Sequence, residues 1–139
     1  MSKFDDGCIF CKIVKGEIPC HKVYEDEHYL AFLDIAPIDR GHAILVPKSH
    51  ATDLLTLETE YLDKLGGVIA HLCGELIAKL AAVGLNVTSN IGARAGQIVM
   101  HTHFHLIPRY EGSDPLNWHS GAGDHGELAA LAERIRAEE

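Results

Sequence analysis

Three histidines stand at alternate positions in Gly96-Gln-Ile-Val-Met-His101-Thr-His103-Phe-His105-Leu-Ile-Pro-Arg109. Side chains on a strand alternate between faces, so a strand over 98–108 puts Val99, His101, His103 and His105 on one face. Met100, Thr102, Phe104 and Leu106 then take the other; a helix would scatter the histidines. Imidazole titrates near neutrality and can act as base, acid, nucleophile or ligand. Neighbouring imidazoles can divide those roles: one attacks, one donates a hydrogen bond to a phosphate oxygen, one orients the attacker. Two other readings stay open on the residues alone. The three rings could simply face solvent, or they could hold a metal, although adjacent residues on one strand face converge poorly on one ion.

Cys8-Ile-Phe-Cys11 is the second constellation. A C-x-x-C pair can be redox-active, can supply half of a tetrahedral zinc site, or can be two free thiols. No strand precedes it, so a thioredoxin-like setting is missing. Cys20 stands next to His21, and Cys73 lies among apolar helix positions; neither is assigned chemistry.

These residues need elements to position them. A short helix is expected over 8–14, ended by Gly16 and Pro19. Short strands are expected at 23–24 and 29–33, around the acidic turn 25–27, and a loop at 36–41. A buried strand follows over 42–47. Leu62, Leu65, Val68, Ile69, Leu72, Leu76, Ile77 and Leu80 recur every three or four residues, which predicts a long helix over 60–83, with Gly84 as its terminator. A strand over 85–89, a loop over 90–96 and the histidine strand over 98–108 come next. Residues 111–126 read as irregular and 127–137 as a short helix; only 1–6 read as a loose end. Strands joined by short turns favour an α+β fold. It has a five-stranded, mainly antiparallel sheet, one long helix and short terminal helices. It is read as a single domain over 1–139, with a core over 8–110 and an irregular tail over 111–139.

The chain has 139 residues, 47% of them hydrophobic, and a net charge of −8. That composition argues against disorder, and the charge makes generic nucleic acid or an anionic membrane a poor partner. The start Met-Ser-Lys-Phe-Asp-Asp-Gly lacks the pattern of a signal peptide. The longest apolar stretch, 62–85, is interrupted by charges. A cytoplasmic protein is expected, its four cysteines being thiols or metal ligands rather than disulfides.

The His-x-His-x-His segment resembles the motif of the histidine-triad family. Residues 8–19, Tyr24-Glu-Asp, Ala31-Phe-Leu-Asp-Ile35, residues 41–50, Asn90 and Gly96-Gln97 resemble further family segments in the same order, over roughly 8–110. The resemblance implies a homodimer that binds purine nucleotides and cleaves at the α-phosphorus through a nucleotidyl-histidine. The substrate would be of nucleoside phosphoramidate type, or alternatively a dinucleoside polyphosphate. A nucleotide-binding interaction protein with incidental activity is the remaining alternative.

The resemblance makes His103 the nucleophile and has His105 hydrogen-bond the α-phosphate. The backbone of His101 would orient His103, with His42 beside them. Asp34 would hold the ribose hydroxyls. Ile9, Phe10, Ile13, Phe32 and Ile35 would form the slot for the base, where residue type alone says core. Asn90, Gly96 and Gln97 would form the phosphate-side loop, its N–H groups meeting the charge on phosphorus. Part of the family carries a structural zinc site, which here implies Cys8, Cys11, His50 and His101 as ligands; no metal is needed for the chemistry. One departure is Ile98, where many members carry Ser or Thr able to reach the leaving group. Trp118 is a candidate dimer contact or a local packing anchor.

Overall fold

Residues 29–33 and 43–47 are apolar at nearly every position, a pattern that suits strands covered on both faces. The computed structural model, which describes residues 3–137, covers both. The elements are α1 (Ile9–Val14), β1 (Lys22–Glu25), β2 (Tyr29–Leu33), β3 (Ala43–Pro47), α2 (Thr59–Leu80), β4 (Gly84–Thr88), β5 (Phe104–Arg109) and α3 (His125–Arg136). The strands form one sheet in the order β1-β2-β3-β5-β4, and every neighbouring pair is antiparallel.

Alternation divides each strand between two cores. Tyr29, Ala31, Leu33, Ala43, Leu45, Phe104 and Leu106 meet the apolar stripe of α2 (Tyr61, Val68, Leu72, Leu76, Leu80) and Leu128, Ala132 and Ile135 of α3. Leu30, Phe32, Ile44 and Val46 face the other way and pack with Cys8, Phe10 and Cys11 around α1. The functional side chains lie on this second face. Truncating a fully buried leucine of the main core, such as Leu76, would cost about 2–5 kcal/mol.

Several boundaries differ from the sequence reading. The strand expected over 98–108 begins only at Phe104, so His101 and His103 precede the ladder. Residues 99–103 are held by other bonds instead. Thr102 N–H (2.8 Å) and Oγ1 (3.0 Å) both donate to the Ala51 carbonyl, and Ser89 Oγ donates to the His103 carbonyl at 2.8 Å. The long helix stops at Leu80, and Ala81 takes the left-handed conformation (φ 56°) expected of glycine. Val83 N–H already donates to the Arg109 carbonyl, so the chain must turn before Gly84, which is the first residue of β4 and no terminator. That turn at alanine costs about 1–2 kcal/mol. A short 3-10 turn, Ala93–Ala95, interrupts the loop before Gly96. Lys3 is no loose end: its N–H donates to Ser49 Oγ and its carbonyl accepts from His50 N–H, both at 2.8 Å. Residues 1 and 2 of that expected loose end lie outside the described residues. Among the described residues, no helix is long and apolar enough to cross a membrane.

Candidate active site

His103 is 8% exposed, and its Nδ1–H donates to the backbone carbonyl of His101 at 2.7 Å. A carbonyl can only accept, so Nδ1 carries the proton and the neutral ring leaves Nε2 bare. The ring is fixed from the side by Phe10, edge-on with centroids 5.1 Å apart.

His105, at the start of β5, stands edge-on to His103 with centroids again 5.1 Å apart. Its Nδ1 lies 2.9 Å from Nε2 of His42. His42 is 2% exposed, and its Nδ1 accepts from the backbone N–H of Ile38 at 3.0 Å. An N–H can only donate, so His42 is protonated at Nε2 and donates to His105 Nδ1. His105 in turn carries its proton on Nε2. One backbone amide thus sets two rings and leaves one N–H directed outward. Burial pushes the His42 pKa down to about 4 and lowers that of His105, so both rings stay neutral at pH 7.

Asp34 follows β2. Its Oδ1 accepts from Ala36 N–H at 2.8 Å, and its Oδ2 lies 3.6 Å from His42 Nε2. Asp34, His42 and His105 lie close enough to share an ion. The Ile38 amide argues against it, because a metal on Nε2 would force a proton onto Nδ1, where an N–H already points.

The four residues implied as zinc ligands do converge. Cys8 Sγ is 3.3 Å from His101 Nδ1, Cys11 Sγ is 3.4 Å from His50 Nδ1 and 3.5 Å from His101 Nδ1, and the two Nδ1 atoms are 3.2 Å apart. Tetrahedral zinc with ordinary bond lengths sets its ligand atoms about 3.3–3.8 Å apart, so the cluster fits. His101 Nε2–H donates to the Pro47 carbonyl at 3.0 Å, which leaves Nδ1 bare for an ion. Burial pushes the Cys11 thiol up to about 11, so it is neutral unless a cation displaces the proton. Cys8 also caps α1, accepting from Cys11 N–H. The motif therefore starts the helix as well as offering ligands.

Beside the histidines lies a cavity of about 400 Å³. Ile9, Phe10, Ile13, Phe32, Asp34 and Ile35 all line it, so the residues expected around base and ribose are brought together. The sequence reading missed His21 and His125 in the same wall. His21 had only Cys20 beside it as a signal, and His125 comes from the tail, where no local pattern marks it.

The loop at 90–97 differs from expectation. Gly96 has φ 100°, and a Cβ there would meet Asn90 Nδ2 at 3.1 Å. Its N–H donates to the Ala93 carbonyl and that of Gln97 to the Gly92 carbonyl. The Gln97 side chain accepts from Gly92 N–H and donates to the carbonyls of Thr52 and Val99. These groups brace the loop, and the two N–H groups expected to face a phosphate are already engaged. Asn90 is exposed, and Ile98 is 89% exposed. Trp118 lies 5.3 Å from the Arg109 guanidinium, a local stacking contact.

The HIT domain family matches residues 15–112. A HIT-like protein of Methanocaldococcus jannaschii is 50% identical over 106 residues, covering 76% of this chain and 81% of that one. An adenosine 5'-monophosphoramidase of Schizosaccharomyces pombe is 41% identical over 131 residues, 93% of this chain and 96% of that one. The crystal structure of a zinc-bound histidine triad family protein from Mycobacterium smegmatis superposes with a TM-score of 0.82 at 34% identity, covering 94% and 91%. The chain belongs to the HIT-domain family.

Proposed function

We propose that this protein is a nucleotide hydrolase of nucleoside phosphoramidase type, acting through a nucleotidyl intermediate on His103. The observation that carries this is the pairing of a bare His103 Nε2 with an outward His105 Nε2–H beside an apolar cavity. The phosphoramidase named above, matching nearly end to end, supports the substrate class.

The base of a purine nucleotide lies among Ile9, Phe10, Ile13, Phe32 and Ile35, with its ribose hydroxyls on the free oxygen of Asp34. His103 Nε2 attacks the α-phosphorus. A nitrogen–phosphorus bond forms, the bond to the leaving amine breaks, and the amine takes a proton from solvent. His105 Nε2–H meets the charge on phosphorus, since the Gly96 and Gln97 amides are engaged in their loop. Water then attacks phosphorus, its oxygen staying on the nucleoside monophosphate and its proton passing to solvent. His103 is released in its starting tautomer. Zinc at Cys8, Cys11, His50 and His101 would tie α1 to the sheet and takes no part in these steps.

The protein acts as a homodimer. β1 packs against α3, whereas β4, the other edge of the sheet, carries exposed Val87 and follows exposed Val83. Such an edge calls for a second chain. Light scattering should return about twice 15.2 kDa.

Mass spectrometry of a quenched reaction with adenosine 5'-phosphoramidate tests the mechanism. An adenylyl adduct on His103 is expected. Turnover with no adduct, or an adduct elsewhere, overturns it. A dinucleoside polyphosphate in parallel separates the two substrate types.

A further inference from the structure

The chain ahead of Cys8 lies against the cluster of Cys8, Cys11, His50 and His101. Lys3 is tied to the residues after β3, its N–H on Ser49 Oγ and its carbonyl on His50 N–H. Asp5 then meets the cluster with three atoms. Its N–H donates to Cys11 Sγ at 3.5 Å, and its carbonyl accepts from Cys8 N–H at 3.1 Å. Its Oδ2 lies 3.8 Å from His50 Nε2. The other carboxylate oxygen, Oδ1, accepts from Gly7 N–H at 2.8 Å, which fixes the side chain in this position.

The two histidines of the cluster present the same atom to its centre. Their Nδ1 atoms are 3.2 Å apart, and each faces a cysteine sulfur. An imidazole that offers Nδ1 to an ion carries its proton on Nε2. For His101 that proton goes to the Pro47 carbonyl at 3.0 Å. For His50 the oxygen facing Nε2 is that of Asp5. A neutral imidazole can hold its proton on either nitrogen, and an oxygen beyond Nε2 selects the form with Nδ1 bare.

Both contacts strengthen when an ion is bound. A metal-bound thiolate accepts an N–H better than a thiol does, and an imidazole with an ion on Nδ1 donates better from Nε2.

We infer that Asp5 is a positioning residue for zinc. Its carboxylate holds His50 with Nδ1 bare, and its N–H supports Cys11 as the thiolate. Asp5 itself is not a ligand. The side chain is 55% exposed, so truncating it leaves no cavity in the core. Nothing in Asp5-Asp6-Gly7 announces this role, because the residue that Asp5 faces comes from the far end of β3.

This rests on the zinc reading given above, and the controls separate the two. Zinc dissociation constants are measured by competition with a chromophoric chelator for the full chain as wild type, Asp5→Ala, Asp5→Asn and Asp6→Ala. Asp5→Ala should weaken zinc at least tenfold, the usual effect of losing a group that orients a ligand. Asp5→Asn keeps an acceptor oxygen and the backbone N–H and should stay within about threefold of wild type. Asp6→Ala removes the same charge one residue away and should stay within about twofold. Melting with zinc and after chelation gives the second readout. The gap between the two melting temperatures should shrink in Asp5→Ala. Wild-type zinc affinity in Asp5→Ala overturns the inference and leaves the zinc reading standing. So does an equal loss in Asp6→Ala, or an Asp5→Asn as weak as Asp5→Ala. Melting lowered equally with and without zinc would make Asp5 a former of the turn before α1 and also overturns it. A wild type that binds no zinc brings down both.

Discussion

His101 Nδ1 and His103 Nε2 lie on the two sides of one backbone carbonyl, since the His101 ring points into the cysteine cluster while its carbonyl accepts from His103 Nδ1–H at 2.7 Å. One residue therefore serves both sites through different atoms. Its ring belongs to the cluster of Cys8, Cys11, His50 and His101, and its backbone sets the neighbouring ring.

Stripping metal should for that reason affect stability first. An ion bound at a hundred times its dissociation constant contributes about 3 kcal/mol, which in a chain of this size corresponds to a melting temperature about 10 °C lower after chelation. The initial rate should keep more than about half its value, because no ring nitrogen of His103 touches the cluster. Metal analysis should find about one zinc per chain, and none after Cys8→Ser with Cys11→Ser. Zinc retained by that double variant would place the ion elsewhere.

His103→Ala should lower kcat at least a hundredfold, since no neighbouring group can replace the attacking nitrogen. Nucleotide affinity should change by less than about threefold, because the proposed base and ribose contacts come from the cavity lined by α1, β2 and Asp34. A variant keeping more than about a tenth of wild-type kcat, under 1.4 kcal/mol of barrier, would move the nucleophile to another residue.

Much of the site was legible because its signals are local. The triad's alternation survives on the face shared with Phe10 even where the ladder hydrogen bonds do not. The ends of elements were less legible. Whether residues 98–103 join β5 is decided by Ala51 and Ser89, and where α2 stops is decided by the Arg109 carbonyl. The loop amides read as free because nothing in Asn90–Gln97 announces that Gly92 and Ala93 accept from them. His125 was silent for the same reason: its neighbour, His21, lies 104 residues away in sequence.

Acid should destabilise the protein through His42. An unfolded histidine binds its proton near pH 6.5, whereas burial holds the folded one near 4. Between those values the unfolded state holds more protons. Stability should therefore fall as pH drops from about 6.5 to 4 and flatten below that, by about 3 kcal/mol from this group. Denaturation followed across that range should give a shallower slope in His42→Gln, which cannot titrate. Equal slopes would mean that His42 is not held neutral by the fold.

His42 should also act on the reaction without touching substrate. Ile38 N–H sets the His42 tautomer, His42 Nε2–H sets that of His105, and His105 is left with its proton on Nε2. In His42→Phe the His105 Nδ1 loses its donor, and the ring can place its proton on either nitrogen. The N–H toward phosphorus is then present only part of the time. Removing an oxyanion donor outright costs about a hundredfold or more, so partial loss should lower kcat about tenfold. That donor acts in the transition state, so KM should stay within about twofold. His42→Gln keeps a side-chain N–H for His105 and should recover most of kcat. Nitrogen chemical shifts of His105 should report a single tautomer in wild type and in His42→Gln, and a mixture in His42→Phe. A His42→Phe enzyme with normal kcat and a single His105 tautomer would show that the backbone amide of Ile38 governs nothing beyond His42 itself.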